Sequence, residues 1–256
     1  FSIILNKGVI MNPQIFGWEH LTFLAIFVVF MVVSLVLFKI YIKDEKIKTI
    51  ILKVTAGLLL IFIVWNRISI AVSYKNWTEL IPTSFCGMSS LVLALAVLIG
   101  KKDNNVLHFV FYLAIVGGFI TLIYPDFIGQ NPSLFYPNTI SGLLHHGFSF
   151  YLSIMLLMFG WFHPNYKKWP NLVIGFMAYI TLGAFQMSVF NYDDAFCINN
   201  PILPGTPLTV WLIAVIFAAL YALFFVIYEL VKRKLAGKKL ESSKNEDKNQ
   251  ADDIYK

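Results

Sequence analysis

Charge is scarce in this sequence. Only 13% of its 256 residues are Asp, Glu, Lys or Arg, against roughly a quarter in an ordinary soluble domain. That is too little polar surface to coat a water-exposed globule of this size, so a soluble domain and a disordered chain are both excluded. Cysteine is scarcer still. Cys86 and Cys197 alone cannot build the disulfide framework of a small secreted module. Segments of about ten alternating residues, which a membrane barrel needs, are missing. So are a glycine-rich phosphate loop, a serine-centred elbow and any spaced metal-ligand motif. The first ten residues lack the charged start, apolar stretch and small-residue cleavage site of a signal peptide. Met11 is the expected true start, and residues 1–16 form a short lead.

Apolar residues make up 58% of the chain, and Phe occurs 24 times. Crossing about 30 Å of hydrocarbon takes about 20 apolar residues. Seven runs approach or reach that length: Leu21–Tyr41, Ile50–Val72, Ile81–Gly100, Leu107–Tyr124, Ile140–Trp161, Pro170–Phe190 and Pro207–Val231. In lipid each backbone polar group must pair within its own segment, so the runs are read as helices. Pro170 and Pro207 sit where a helix tolerates proline, in the first turn. The expected architecture is all-α: a polytopic integral membrane protein with seven transmembrane helices over residues 17–231. Residues 232–256 are charged and nearly free of aromatics, and read as a disordered cytosolic tail.

The net charge of +6 does not point to nucleic acid. Counted along seven helices, 17 of the 20 Lys and Arg residues fall on one side, in the first, third and fifth connections and the tail. Only Lys7, Arg67 and Lys75 fall on the other. Cytoplasmic loops carry such an excess, so the N-terminus is expected outside, the C-terminus in the cytosol, and the chain in the cell membrane.

Polar groups inside a membrane are costly and usually functional. Cys86 lies five residues into the third run, about 7–8 Å deep at 1.5 Å per residue, and His145 and His146 lie at a similar depth in the fifth. Arg67, His20, Asp126, Asn191 and Tyr192 sit at or near the same outer end, whereas His108 and His163 mark the inner end without polar neighbours. By helical spacing Thr83, Cys86, Ser89 and Ser90 share a face of the third helix. Ser141, His145, Ser149 and Ser153 form a stripe on the fifth, with His146 turned about 100° away. Two such stripes suit one polar cavity, and equally suit close helix packing.

A Cys beside a His makes a thiolate nucleophile, the His taking the thiol proton and returning it to a leaving group. The competing readings of Cys86 are a small packed hydrophobe and a disulfide with Cys197. Arg67 suits a phosphate or carboxylate head group, and equally suits snorkelling or pairing with Asp126 or Glu79. No metal site is expected.

The stretch Leu80-Ile-Pro-Thr-Ser-Phe-Cys86 resembles the Leu-Pro-Leu-His-Leu-Cys type motif of the transmembrane protein 164 family, including its YwaF-like bacterial members. In order along the chain, Glu19-His20-Leu21, Leu122-Ile-Tyr-Pro125-Asp126, His146-Gly147 and Asn191-Tyr192 followed by Pro201 resemble further motifs of that family. The match spans most of residues 17–230. The chain departs from the pattern around Ser84, where a His is usual, at Asn200 for a Lys, and at Phe190-Asn191-Tyr192 for Gly-Asn-Tyr.

The resemblance implies a seven-helix lipid acyltransferase related to androgen-induced-gene-type hydrolases, needing no cofactor. Carried over, Cys86 is the nucleophile and His146 the base and acid, although the polar stripe favours His145. A phospholipid gives its acyl chain to a thioester on Cys86, and a lysophospholipid or water accepts it. Arg67, His20, Asp126, Asn191 and Tyr192 are the expected substrate-binding residues. The alternatives are a transporter or small-molecule binding protein with an outward cavity, and a structural protein.

Overall fold

The computed structural model describes residues 12–202 and 205–254. Most of the expected N-terminal lead lies outside the described residues. Among the described residues all regular structure is helical. The helices are α1 (Trp18–Tyr41), α2 (Glu45–Tyr74), α3 (Phe85–Leu98), α4 (Leu107–Ile123), α5 (Pro137–Met158), α6 (Pro170–Phe190) and α7 (Val210–Ile254). Each apolar run therefore overlaps one helix. Among the described residues five stretches are long and apolar enough to cross a membrane: α1, α2, α5, Tyr166–Phe190 and Val210–Val231. The apolar helices α3 and α4 have 14 and 17 residues, about 21 and 26 Å at the helical rise, short of the 30 Å core.

Local chemistry sets the ends. The Asp44 carboxylate accepts from the Lys46 and Ile47 amides at 2.7 and 3.0 Å and caps α2. Pro137 and Pro170 open α5 and α6 in the first turn, where a missing N–H costs nothing. Several boundaries differ from the sequence expectation, and three of the differences have a local explanation. α3 begins at Phe85 rather than Ile81, because the residue before Pro82 is pushed out of the helical region and Ser84 supplies the cap, its hydroxyl accepting from the Gly87 amide at 3.2 Å. α7 begins at Val210, with the Val210 amide donating to the Cys197 carbonyl at 2.8 Å, so Pro207 precedes the helix. α7 also continues past Val231 to Ile254, where composition pointed to disorder. Residues 232–254 contain no proline and carry six Lys, with Arg233, Leu235 and Leu240 beside them, residue types that favour helix once one is started.

α5 is the centre of the bundle and packs against α1, α2, α3 and α4, while α4 packs against α3, α5 and α6. The helices approach over small residues, as membrane helices do. A Cβ on Gly118 of α4 would lie 2.8 Å from the His146 carbonyl oxygen, and one on Gly147 of α5 would lie 2.7 Å from the Phe27 ring. Leu52, Leu59, Leu93, Leu107, Leu152 and Met155 are fully buried between them.

One end of the bundle is pinned. Asp103, in the connection between α3 and α4, accepts from the His163 amide at 2.5 Å and meets its Nδ1 at 2.7 Å. The Asp103 amide donates to the Trp161 carbonyl at 3.2 Å, and Lys168 donates to Asn105 at 3.1 Å. The α3–α4 and α5–α6 connections therefore meet at the same end. His163 has a polar partner that the sequence did not reveal.

Candidate functional site

Because α3 starts late, residues 81–84 reach its head as non-helical chain. Unpaired carbonyls there are costly away from water, and the bundle pairs two of them. Gln186 of α6 donates to the Pro82 carbonyl at 3.2 Å, and the Phe196 amide donates to the Thr83 carbonyl at 2.7 Å. Cys86 is the second residue of α3. It is half-buried with a free thiol. A Cβ on Gly117 of α4 would lie 2.9 Å from its Sγ. Thr121, one turn along α4, is the hydroxyl neighbour of the thiol.

His145 and His146 are the ninth and tenth residues of α5, so their depth does not match that of Cys86 when counted from the helix starts. Counted from the pinned end it does. Cys86 lies 12 residues before Leu98 and His146 lies 12 before Met158, about 18 Å in each case. Between them stand the adjacent glycines of α4, Gly117 against Cys86 and Gly118 against the backbone of His146.

The two imidazoles are buried, with ring centroids 4.0 Å apart. His145 Nδ1 meets the Ser90 hydroxyl of α3 at 3.3 Å. His146 lies parallel to the Phe127 ring at 6.3 Å, and its Nδ1 is buried without a partner. No hydrogen bond joins Cys86 to either imidazole among the described residues. The two polar stripes meet only at Ser90–His145, since Ser89 pairs with the Tyr179 hydroxyl of α6 at 3.3 Å.

A second polar group adjoins the pair. Asn66 of α2 donates to Ser141 at 3.1 Å and to the Asn138 carbonyl at 3.2 Å. Its own Oδ1 accepts from Arg67 at 2.8 Å. Asn66 and Thr121 escaped the sequence reading, because only packing turns these common residues toward the site; Ser90 was read there as part of the polar face of the third helix. Arg67 makes no ion pair with Asp126 or Glu79.

The other expected residues fall elsewhere. His20 is fully buried and both its ring nitrogens are engaged. Nδ1 accepts from the Phe16 amide at 3.1 Å and Nε2 lies 2.9 Å from the Leu122 carbonyl. Nε2 therefore carries the proton, and His20 ties the start of α1 to the end of α4. Asp126 is exposed in the loop after α4. Asn191 ends α6 in the left-handed region at φ 55°. The Tyr192 hydroxyl donates to Thr78 at 2.7 Å; burial, with Glu79 adding, holds the phenol above its ordinary range against the pull of that bond. Cys197 is a free thiol in the 191–209 connection. Burial pushes it up to about 11, with Asp194 adding. It follows Phe196, and the two occupy the left-handed region at φ 56° and 53°.

Between α1, α2 and α5 runs an apolar groove of about 290 Å³, lined by Phe30, Phe38, Ile51, Leu58 and Phe148 among others. A model of the TMEM164 family matches residues 15–228. No curated protein and no solved structure matches the chain.

Proposed function

The chain belongs to the TMEM164 family, and on that premise we propose that it is a cell-membrane enzyme that moves acyl chains between phospholipids, or hydrolyses them, through Cys86. The polypeptide crosses seven times with its N-terminus outside, as the distribution of basic residues favours. One observation carries the chemistry: adjacent glycines of α4 bring Cys86 on α3 and His146 on α5 to one level of the bundle.

In the reaction, an imidazole takes the Cys86 thiol proton, and the sulfur attacks the ester carbonyl. The C–O bond breaks, and the lysolipid leaves with the proton returned by the imidazolium. The hydroxyl of a lysophospholipid, or water, then attacks the thioester and regenerates the thiol. A helix head favours anionic sulfur and developing oxyanions, which suits Cys86 in the first turn of α3. His146, with its unpartnered nitrogen, is the base, and His145, engaged with Ser90, is the second candidate. Asn191 and Tyr192 stand at the rim with Asp126 to meet the head group, and His20 holds α1 against the site. Catalytic hydrogen bonds often tighten only when substrate binds, which accommodates the missing thiol–imidazole bond.

That missing bond also favours a second reading, a lipid-binding membrane protein without turnover. Purified protein given phospholipid with a labelled acyl chain separates the two. Acyl transfer predicts hydroxylamine-sensitive label on wild type and none on Cys86→Ala. Label persisting without Cys86, or none on wild type, leaves the binding reading.

A further inference from the structure

Arg67 lies seven residues before the last residue of α2, about 10 Å from the helix end. A guanidinium at such a depth is normally met by a carboxylate or by carbonyls. Here its Nη2 donates to Asn66, and its Nε is buried without an acceptor. No ion pair joins Arg67 to Glu79 or Asp126 among the described residues. Glu79, Tyr192 and Tyr74 act on it only from a greater distance. Asn66, which accepts from Arg67, donates in turn to Ser141, one turn before His145 on α5, and His146 is 93% buried with its Nδ1 unpartnered.

A buried N–H that finds no acceptor in the protein calls for one from elsewhere. An Arg N–H can only donate, and the planar guanidinium fits an oxyanion. We infer that Arg67 and the adjoining histidine pair form a binding site for the oxyanion of a membrane amphiphile, a phosphate or carboxylate carried on an alkyl chain. The surroundings favour a chain-bearing ligand over a free ion. Val64, Trp65 and Ile68, which flank Arg67 on α2, are exposed apolar side chains on a helix apolar enough to face lipid. Asn66, Ser141 and Asn138 wall the site on the α5 side. The inference deepens the acyl-transfer reading and rests on it only for the expectation that the amphiphile is an ester lipid. The anion site itself needs no turnover.

The test compares ligands with one chain and different heads on full-length protein in uncharged micelles, read by titration calorimetry and by the fluorescence of Trp65, two residues from Arg67. The probes are dodecyl phosphate, dodecanoate, 1-O-dodecylglycerol and inorganic phosphate. The expected result is at least about tenfold tighter binding of one or both chain-bearing anions than of the neutral ether, a tenfold step being about 1.4 kcal/mol. The tighter of the two anions names the source, a phosphate head group or a fatty acid. Arg67→Gln removes the difference, Arg67→Lys retains part of it, and Glu79→Gln enlarges it. Equal binding of anion and neutral ether by wild type overturns the site without reference to any variant. Inorganic phosphate binding as tightly as dodecyl phosphate overturns the amphiphile assignment. None of the probes carries a carboxylic ester, so this result is independent of the labelling experiment above. Intact anion binding without label on the protein removes acyl transfer and leaves the anion site standing.

Discussion

Helices α1 and α5 are both long enough to cross a membrane, yet they occupy opposite places in the bundle. α1 has the highest mean hydropathy of the five long helices, and 6% of its apolar window is buried in protein. α5 has the lowest, and 67% is buried. Lipid accepts an apolar surface without penalty, so α1 keeps its Val, Ile and Leu side chains on the outside. Polar groups are costly in hydrocarbon, so Ser141, His145, His146, Ser149 and Ser153 of α5 all turn inward, each at most 7% exposed. In a soluble protein the most apolar helix would be the most buried. Here the least apolar long helix is the core, and it carries the histidine pair.

If that contrast is functional, the largest effect comes from α5. His146→Ala is expected to lower acyl transfer by ~10²–10⁴, the usual worth of general acid–base help, while Val29→Ala on the exposed face of α1 leaves the rate unchanged. Comparable losses at the two positions, measured with labelled phospholipid, would break the comparison.

The thiols give the next effect. Cys197 lies outside the bundle core and its pKa of about 11 stands above the ordinary 9.0. Its thiolate is about a hundredfold scarcer than that of an unperturbed thiol at neutral pH, and alkylation follows the thiolate. Iodoacetamide should modify Cys197 in Cys86→Ala protein slowly at pH 7.5, the rate rising through pH 11. A plateau reached near pH 9 contradicts this.

Stability separates the two helices by a smaller margin. Gly118→Val drives a side chain into the backbone of α5 and should cost ~1–3 kcal/mol or more by overpacking, whereas Ala25→Val on exposed α1 should fall within about 0.5 kcal/mol. Unfolding in mixed micelles reads both. Near the lower end, Asn66→Ala leaves Ser141 and the Asn138 carbonyl without their α2 donor, a loss of ~1–3 kcal/mol.

The sequence made much of this legible, and for identifiable reasons. Apolar runs locate helices because lipid forces backbone pairing, and the starts of α4 at Leu107 and α6 at Pro170 fall where the runs begin. The start of α3 was misplaced, because Pro82 and the cap at Ser84 compete locally and apolarity cannot arbitrate. The cluster of Cys86, His145 and His146 was visible as costly residues in apolar runs. The neighbours Asn66 and Thr121 were not, since common polar residues acquire meaning only from the helix they face. Nor did the sequence show that Gly117 and Gly118 are places where Cys86 of α3 and the backbone of α5 approach α4 tightly.

The meeting of the α3–α4 and α5–α6 connections around Asp103 and His163 bears on how the chain is made. α3 and α4 are each too short to partition into the bilayer securely on their own as they leave the ribosome. Joined by a tight connection of eight residues, they are expected to enter as one hairpin. That hairpin stays provisional until α5 is synthesised and its following loop clasps the tip. Release of a nascent chain truncated before His163 should therefore yield a hairpin that slips back, detectable by glycosylation tags placed in the 101–106 turn. A chain extended past the clasp should hold its place.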